Sequence, residues 1–199
     1  MIATVLAHIP LAMLPWLFPA NPPECQLDIL SPTASEERTL SAFHAQVHAY
    51  VVMHRLIARS MPGAEVFDDE DSFFTDELRQ ALVAARPGAR PGGFFTPRVA
   101  DVFRERIDHA LAYAGGSAIP FRRDIFQDGA RATVNQPLPV LPDPAEWATI
   151  LAVLPDIPPE LEYIVWGADL ALVDVSANLV LDVLENALPA WPSAAPIYR

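Results

Sequence analysis

The apolar residues of this chain change period once, and that change fixes its fold class. After Leu40, the residues Phe43, Val47, Tyr50, His54, Ile57 and Met61 follow in alternating steps of three and four, the spacing of one helix face. After Leu161, Tyr163 and Val165 recur in steps of two, alternating with Glu162, Ile164 and Trp166, which is the spacing of a strand. Helical patterns first and strand patterns last, without interleaving, read as α+β. The expected architecture is three main helices plus a short fourth, followed by a C-terminal antiparallel β-meander.

Local signals set the boundaries. Thr33 and Glu36 stand at capping-box spacing ahead of the first helix, and Pro62-Gly63 ends it. The acidic run Asp68 to Asp71 suits the start of a second helix, Ser72 to Arg86, with Phe74, Leu78, Leu82 and Ala85 inward and Arg79 and Arg86 in its later turns. Arg86 to Gly93 is a Pro- and Gly-rich loop. Thr96-Pro97 then supplies an N-cap and an N1 proline for a third helix. Its inward residues are Val99, Val102, Phe103, Ile107, Ala110, Leu111 and Ala114. Arg104 with Asp108, and Glu105 with His109, are i,i+4 pairs on its outer face, and Gly115-Gly116 closes it.

The remainder reads as a meander. One strand is expected at Ala130 to Asn135, and Asp143-Pro144-Ala145-Glu146 opens the short helix. Gly167-Ala168 fits a type II′ hairpin turn, a register that sets Val165 opposite Leu170 and Tyr163 opposite Leu172. A turn at Ser176-Ala177 leads to a third strand, Asn178 to Leu184. One apolar face of the meander should pack on the helices, because bare strands are marginal in water. The organisation is an apolar segment at 1–20, a Pro-rich linker at 21–34, one domain at 35–186 and a Pro-rich tail at 187–199. Within the domain, 35–116 is helical, 117–143 irregular, and 144–186 holds the short helix and the meander.

Charge is distributed as unevenly as period. All 13 basic residues are Arg, twelve of them between Arg38 and Arg131. None falls between Ala132 and Tyr198, where nine acids occur, among them Asp156, Glu160, Asp169, Asp174 and Asp182. A net charge of -12 excludes electrostatic affinity for nucleic acid or anionic lipid. It directs attention to a basic partner, a cation, or docking of the acidic third on the Arg-bearing helices. Hydrophobic residues at 52% are enough for a core. Cys25 is the one cysteine, so neither an internal disulfide nor a Cys-based zinc site can form.

The first 20 residues carry no charged side chain and include Pro10, Pro15 and Pro19. The prolines and marginal length disfavour a membrane anchor. The apolar content favours an export signal, although a basic n-region is missing; a start codon set too far downstream would explain that. A periplasmic or secreted location, with no stable membrane span after processing, is the expectation.

Several residue types could carry chemistry. His44 and His48 are four apart on the first helix, which puts both rings on one side about 6 Å apart. Glu37 lies on the same side, seven residues before His44, so two His and one carboxylate could take nickel, cobalt or zinc. The plainer reading is two solvent-facing histidines. His54 falls inside the apolar stripe and reads as a packed histidine with a backbone or carboxylate partner. Asp169, Asp174 and Asp182 could do acid–base work or hold calcium. Turn and strand-end aspartates more often accept from local N–H groups. No Gly-x-Ser-x-Gly elbow is present, and the Gly88 to Gly93 loop lacks the lysine and glycine frame of a phosphate cradle.

Two stretches carry a resemblance. Ala85-Arg86-Pro87-Gly88-Ala89-Arg90-Pro91-Gly92-Gly93-Phe94-Phe95-Thr96-Pro97, with the helix after it, resembles a signature of an uncharacterised family of exported bacterial proteins. So does the end, from Leu154-Pro155-Asp156 through Tyr163, Gly167, Asp169, Leu172, Asp174, Asn178 and Asp182. The resemblance spans roughly Leu40 to Leu184. It implies an envelope location and a helical region before a terminal hairpin, and it brings no activity with it. The hairpin alone, with Tyr163, Gly167, Asp169, Asp174 and Asp182-Val183, is similar to the C-terminal strands of periplasmic nickel/cobalt-homeostasis regulators. Ser176-Ala177-Asn178 replaces their Thr-Gly turn. That likeness implies metal binding.

The leading expectation is a non-enzymatic exported accessory protein that acts as a protein-interaction module and needs no cofactor. Its partner is an unidentified protein or a second copy. The signature residues Phe95, Thr96, Pro97, Tyr163, Gly167, Asp169, Asp174 and Asp182 would serve that interaction or the fold. The alternative is a periplasmic protein that binds a divalent transition metal through His44, His48 and Glu37. A hydrolase using Asp and His comes third.

Overall fold

A computed structural model describes residues 32–61, 72–113, 131–138 and 147–189. Contacts divide the chain after Pro32, and every element below belongs to the unit that starts at Thr33. Helices α1 (Ala34–Ser60), α2 (Ser72–Ala85) and α3 (Pro97–Tyr113) precede a single helical turn, α4 (Ala148–Leu151). Strands β1 (Leu161–Trp166), β2 (Asp169–Asp174) and β3 (Leu179–Leu184) form an antiparallel sheet in the order β1-β2-β3. The chain is therefore α+β, helices first. The Asp143 cap expected to open the fourth helix, the Gly115-Gly116 stop, Phe74's inward position and Cys25 lie outside the described residues.

With 27 residues, α1 is the longest helix among the described residues. Thr33 caps it, its hydroxyl accepting from the N–H of Glu36 at 3.2 Å. The reciprocal half of a capping box is replaced: the Glu36 carboxylate accepts from the Arg106 guanidinium at 2.9 Å and so ties α1 to α3. The helix ends one residue before Met61, just ahead of Pro62, as a residue preceding proline should. Phe43, Val47, Tyr50, Val51 and His54 are buried on its inner face. In α2, Leu78 and Leu82 are fully buried, but Ala85 is exposed. On α3, Val99, Ala100, Phe103, Ile107, Ala110 and Leu111 are buried. Phe103 meets Phe43 edge-on at 5.3 Å and Phe95 at 5.5 Å, so three aromatic rings lock α1, α3 and the preceding loop. Burying each ring contributes about 1.5–3 kcal/mol.

Neither expected i,i+4 pair forms on α3. Arg104 turns instead to Asp101 at 3.9 Å and to the carbonyl of Glu185 at 3.0 Å. A carbonyl just past the end of β3, without a ladder partner, outcompetes an exposed ion pair of small worth.

The sheet follows its sequence grammar on β1 and β2. Val165 pairs with Leu170 and Tyr163 with Leu172. Gly167 alone takes the left-handed φ, 66°, in the Gly167-Ala168 turn, as a type II′ turn requires. Two features depart from expectation. The stretch 131–138 forms no strand, although Asn135 and Gln136 bond Val180 through one N–H and one carbonyl. And the sheet is buried on both faces: one meets the helices, while Ile164, Trp166, Ala171, Val173 and Val180 pack with Leu138, Ala132 and Val134.

A bulge on β3 positions the polar core. Leu172 pairs with Asp182 but Val173 with Val180, so Leu181 is an extra residue. Strict alternation would send Asp182 to the face of Val180. The bulge instead turns Leu181 and Asp182 both toward the helices.

Candidate functional site

Three groups could bear chemistry: the two buried aspartates, the histidines of α1, and a cleft between α1 and α3. Asp174 is in phase with Leu170 and Leu172 along β2, so it enters the helix-facing core and is fully buried. One carboxylate oxygen accepts from the Tyr50 hydroxyl and from His54 Nδ1, each at 2.6 Å. The other accepts from the N–H of Ala177 at 3.0 Å and shapes the β2–β3 turn. With the carboxylate as acceptor, His54 holds its proton on Nδ1. Burial, then the neighbouring Asp174 charge and hydrogen bond, hold the Tyr50 hydroxyl far above the usual phenol range.

Asp182 has a different set of donors. Its oxygens accept from the backbone N–H groups of Gly92 at 2.8 Å, Phe94 and Phe95 at 2.7 Å, and its neighbour Val183 at 2.8 Å. Gly92 takes φ 82°, which lets successive N–H groups converge. The Gly-rich loop does cradle an anion, and the anion is the protein's own Asp182. Arg86 completes the arrangement. It donates to the carbonyl of Leu181, the bulged residue, at 3.1 Å, and stacks over Tyr50 and Phe94. Burial pulls the Arg86 guanidinium below its ordinary value, while Tyr50, Asp182 and Asp174 push the other way.

Most of the signature residues make contacts within the fold. Phe95 stacks on Phe43, Pro97 starts α3, and Tyr163 is buried against Phe103. Asp169 accepts from the N–H of Asn186 at 2.8 Å. Asp169, Asp174 and Asp182 each serve a different partner set. Both oxygens of Asp174 and of Asp182 accept from donors of the protein itself, which suits clamps rather than acid–base catalysts.

The candidate metal ligands Glu37, His44 and His48 are all exposed on α1. Among the described residues, no three His, Cys, Asp or Glu side chains gather into a set that could hold a metal ion. His109 is also exposed, with no ion pair to Glu105.

The cleft was not foreseen, apart from Thr96. Its volume is about 230 Å³. Ser35, Arg38, Thr39 and Gln46 of α1 form one wall, Thr96 and Arg98 the other, over Phe43 and Val99. Arg38 is held on its own helix, Nε donating to the carbonyl of Ala34 at 2.9 Å. Among the described residues, no acid pairs with the exposed guanidinium of Arg38 or of Arg98.

A second stripe runs away from the cleft along α1. Ala42, Ala45, Ala49, Val52 and Leu56 recur in steps of three and four and are all exposed, Val52 at 44% and Leu56 at 62%. That spacing was readable in the sequence. The core stripe masked it, because alanine gives little contrast with polar neighbours. Among the described residues no helix is long and apolar enough to cross a membrane. Compared with protein-family models, curated proteins and solved structures, the chain matches none.

Proposed function

We propose that this protein is a non-enzymatic interaction module, exported to the envelope or beyond, that presents the outer side of α1 to a partner protein. The observation that carries the reading is the exposed stripe of Ala42, Ala45, Ala49, Val52 and Leu56. A helix already anchored by one apolar face has no folding need for a second one. Three- and four-residue steps are the pattern by which one helix packs on another, with small residues allowing close approach and large ones supplying apolar area. The export reading is supported by the uncharged apolar stretch at 1–20.

The test is cross-linked capture from envelope extract with the full chain and with V52E/L56E. Both positions are exposed, so their replacement should change stability by no more than about 0.5 kcal/mol each. A partner captured by the parent and lost in the variant is the expected result. Equal capture by both, or no reproducible capture, would contradict the proposal.

A further inference from the structure

The geometry points to the cleft between α1 and α3 as a carboxylate-binding site that receives an acidic residue of a partner's helix or extended segment lying along α1. The inference rests on the interaction-module reading and names the chemistry of the partner.

Charge gives the first reason. The molecule is strongly acidic, with a net charge of -12, yet this cleft is lined by two arginines from different elements. Five other arginines reach across to other parts of the fold or to neighbouring acids, to Glu160, Asp76 and Glu36 or to the carbonyls of Ala177, Leu181, Glu185 and Val153, whereas Arg38 bonds only the carbonyl of Ala34 on its own helix. Arg38 and Arg98 differ: their walls add hydroxyl and amide groups, from Ser35, Thr39, Thr96 and Gln46, and no carboxylate. Arginine's planar fork of donors matches a carboxylate in two-point contact.

Continuity gives the second. Arg38 is four residues before Ala42, so it heads the exposed apolar stripe that ends at Leu56. A segment along α1 would meet the basic cleft first and the apolar stripe next. Its matching pattern is an acidic residue at one end and apolar residues at helical spacing beyond it. The net negative charge of the module selects against a polyanion such as nucleic acid or a lipid surface. A lone carboxylate beside two arginines is governed by its nearest charges, since more distant ones are screened beyond roughly 8 Å at physiological salt.

The experiment uses the full chain and two fluorescein-labelled helical peptides. One carries a pair of glutamates a turn before two leucines; the other has glutamine in place of glutamate. Fluorescence anisotropy should show the glutamate peptide binding at least about tenfold tighter, a preference that R38Q/R98Q abolishes while the melting midpoint stays put. Equal affinity for the two peptides would overturn the carboxylate assignment. So would a preference that survives R38Q/R98Q. Displacement of the peptide by inorganic phosphate without discrimination between peptides would mark a bare anion pocket and also overturn it. If the peptides are not discriminated while V52E/L56E still loses its captured partner, this inference fails and the interaction-module reading stands.

Discussion

Seven arginines of the helical half fall into two sets, and the division separates what holds this fold together from what it can offer outward. On the sheet side, Arg55, Arg79, Arg86, Arg104 and Arg106 all reach residues between Val153 and Glu185. On the α1–α3 side, Arg38 and Arg98 line an open cleft. The sheet-side set joins the basic middle of the chain to its acidic end, but not by the pairing that charge alone implied. Only Arg55 ends on a carboxylate there, that of Glu160. The other four end on backbone carbonyls at turns, at the bulge and after strands, where no ladder partner exists and a guanidinium with five donors is the best substitute. The carboxylates are used the opposite way, collecting N–H and O–H donors from loops and from α1. Charges in the core serve backbone accounting, while Arg38 and Arg98 line the cleft.

The strongest way to break that comparison is at Asp182. Replacing it by Ala removes the acceptor of three loop N–H groups and one strand N–H, with those of Phe94, Phe95 and Val183 buried, and D182A should lose about 3–5 kcal/mol in urea denaturation. R38Q/R98Q should lose almost nothing. Equal losses would erase the distinction between the two sets.

An intermediate effect is expected at Glu160. Burial pushes its carboxyl up, but its backbone hydrogen bond and the Arg55 guanidinium together outweigh that and hold it below the ordinary value. A lowered carboxyl contributes stability that is fully present above the unfolded value of about 4.3 and is lost as pH falls through the folded value. The parent should therefore lose more stability than E160Q when melting is followed from pH 6 downward through about pH 4. Parallel acid limbs would show that Arg55–Glu160 contributes nothing.

The smallest effect belongs to Tyr163. Its hydroxyl is buried without a hydrogen-bond partner, and burial raises it above the usual phenol range. Y163F should be neutral or slightly stabilising by thermal melting; a loss above about 1 kcal/mol would reveal a hidden partner.

Much of the fold was legible because periodicity reports it directly. The stripe from Leu40 to Met61, the Thr96-Pro97 start and the hairpin register around Gly167 all needed only local rules. Asp174 was legible too, being in phase with Leu170 and Leu172, and His54 lay within the core stripe; their meeting across 120 residues was not. Asp182 was illegible, since a bulge shifts its phase by one residue and no sequence signal marks Leu181 as extra. The stretch 131–138 carries strand-like residues but pairs with β3 only at Val180. The cleft was hidden for another reason: Arg38 in α1 and Arg98 in α3 are separated by the rest of α1 and by α2, and single surface arginines carry no pattern.

The most direct measurement is amide chemical-shift mapping of the full chain titrated with the glutamate peptide. The predicted perturbations lie along α1 from Ser35 to Gln46 and at Val52 to Leu56, and at Thr96 to Val99. The loop from Gly92 to Phe95, already closed on Asp182, should stay unmoved. Perturbations centred on that loop, with Arg38 and Arg98 unaffected, would contradict the division between inward-serving and outward-facing charge.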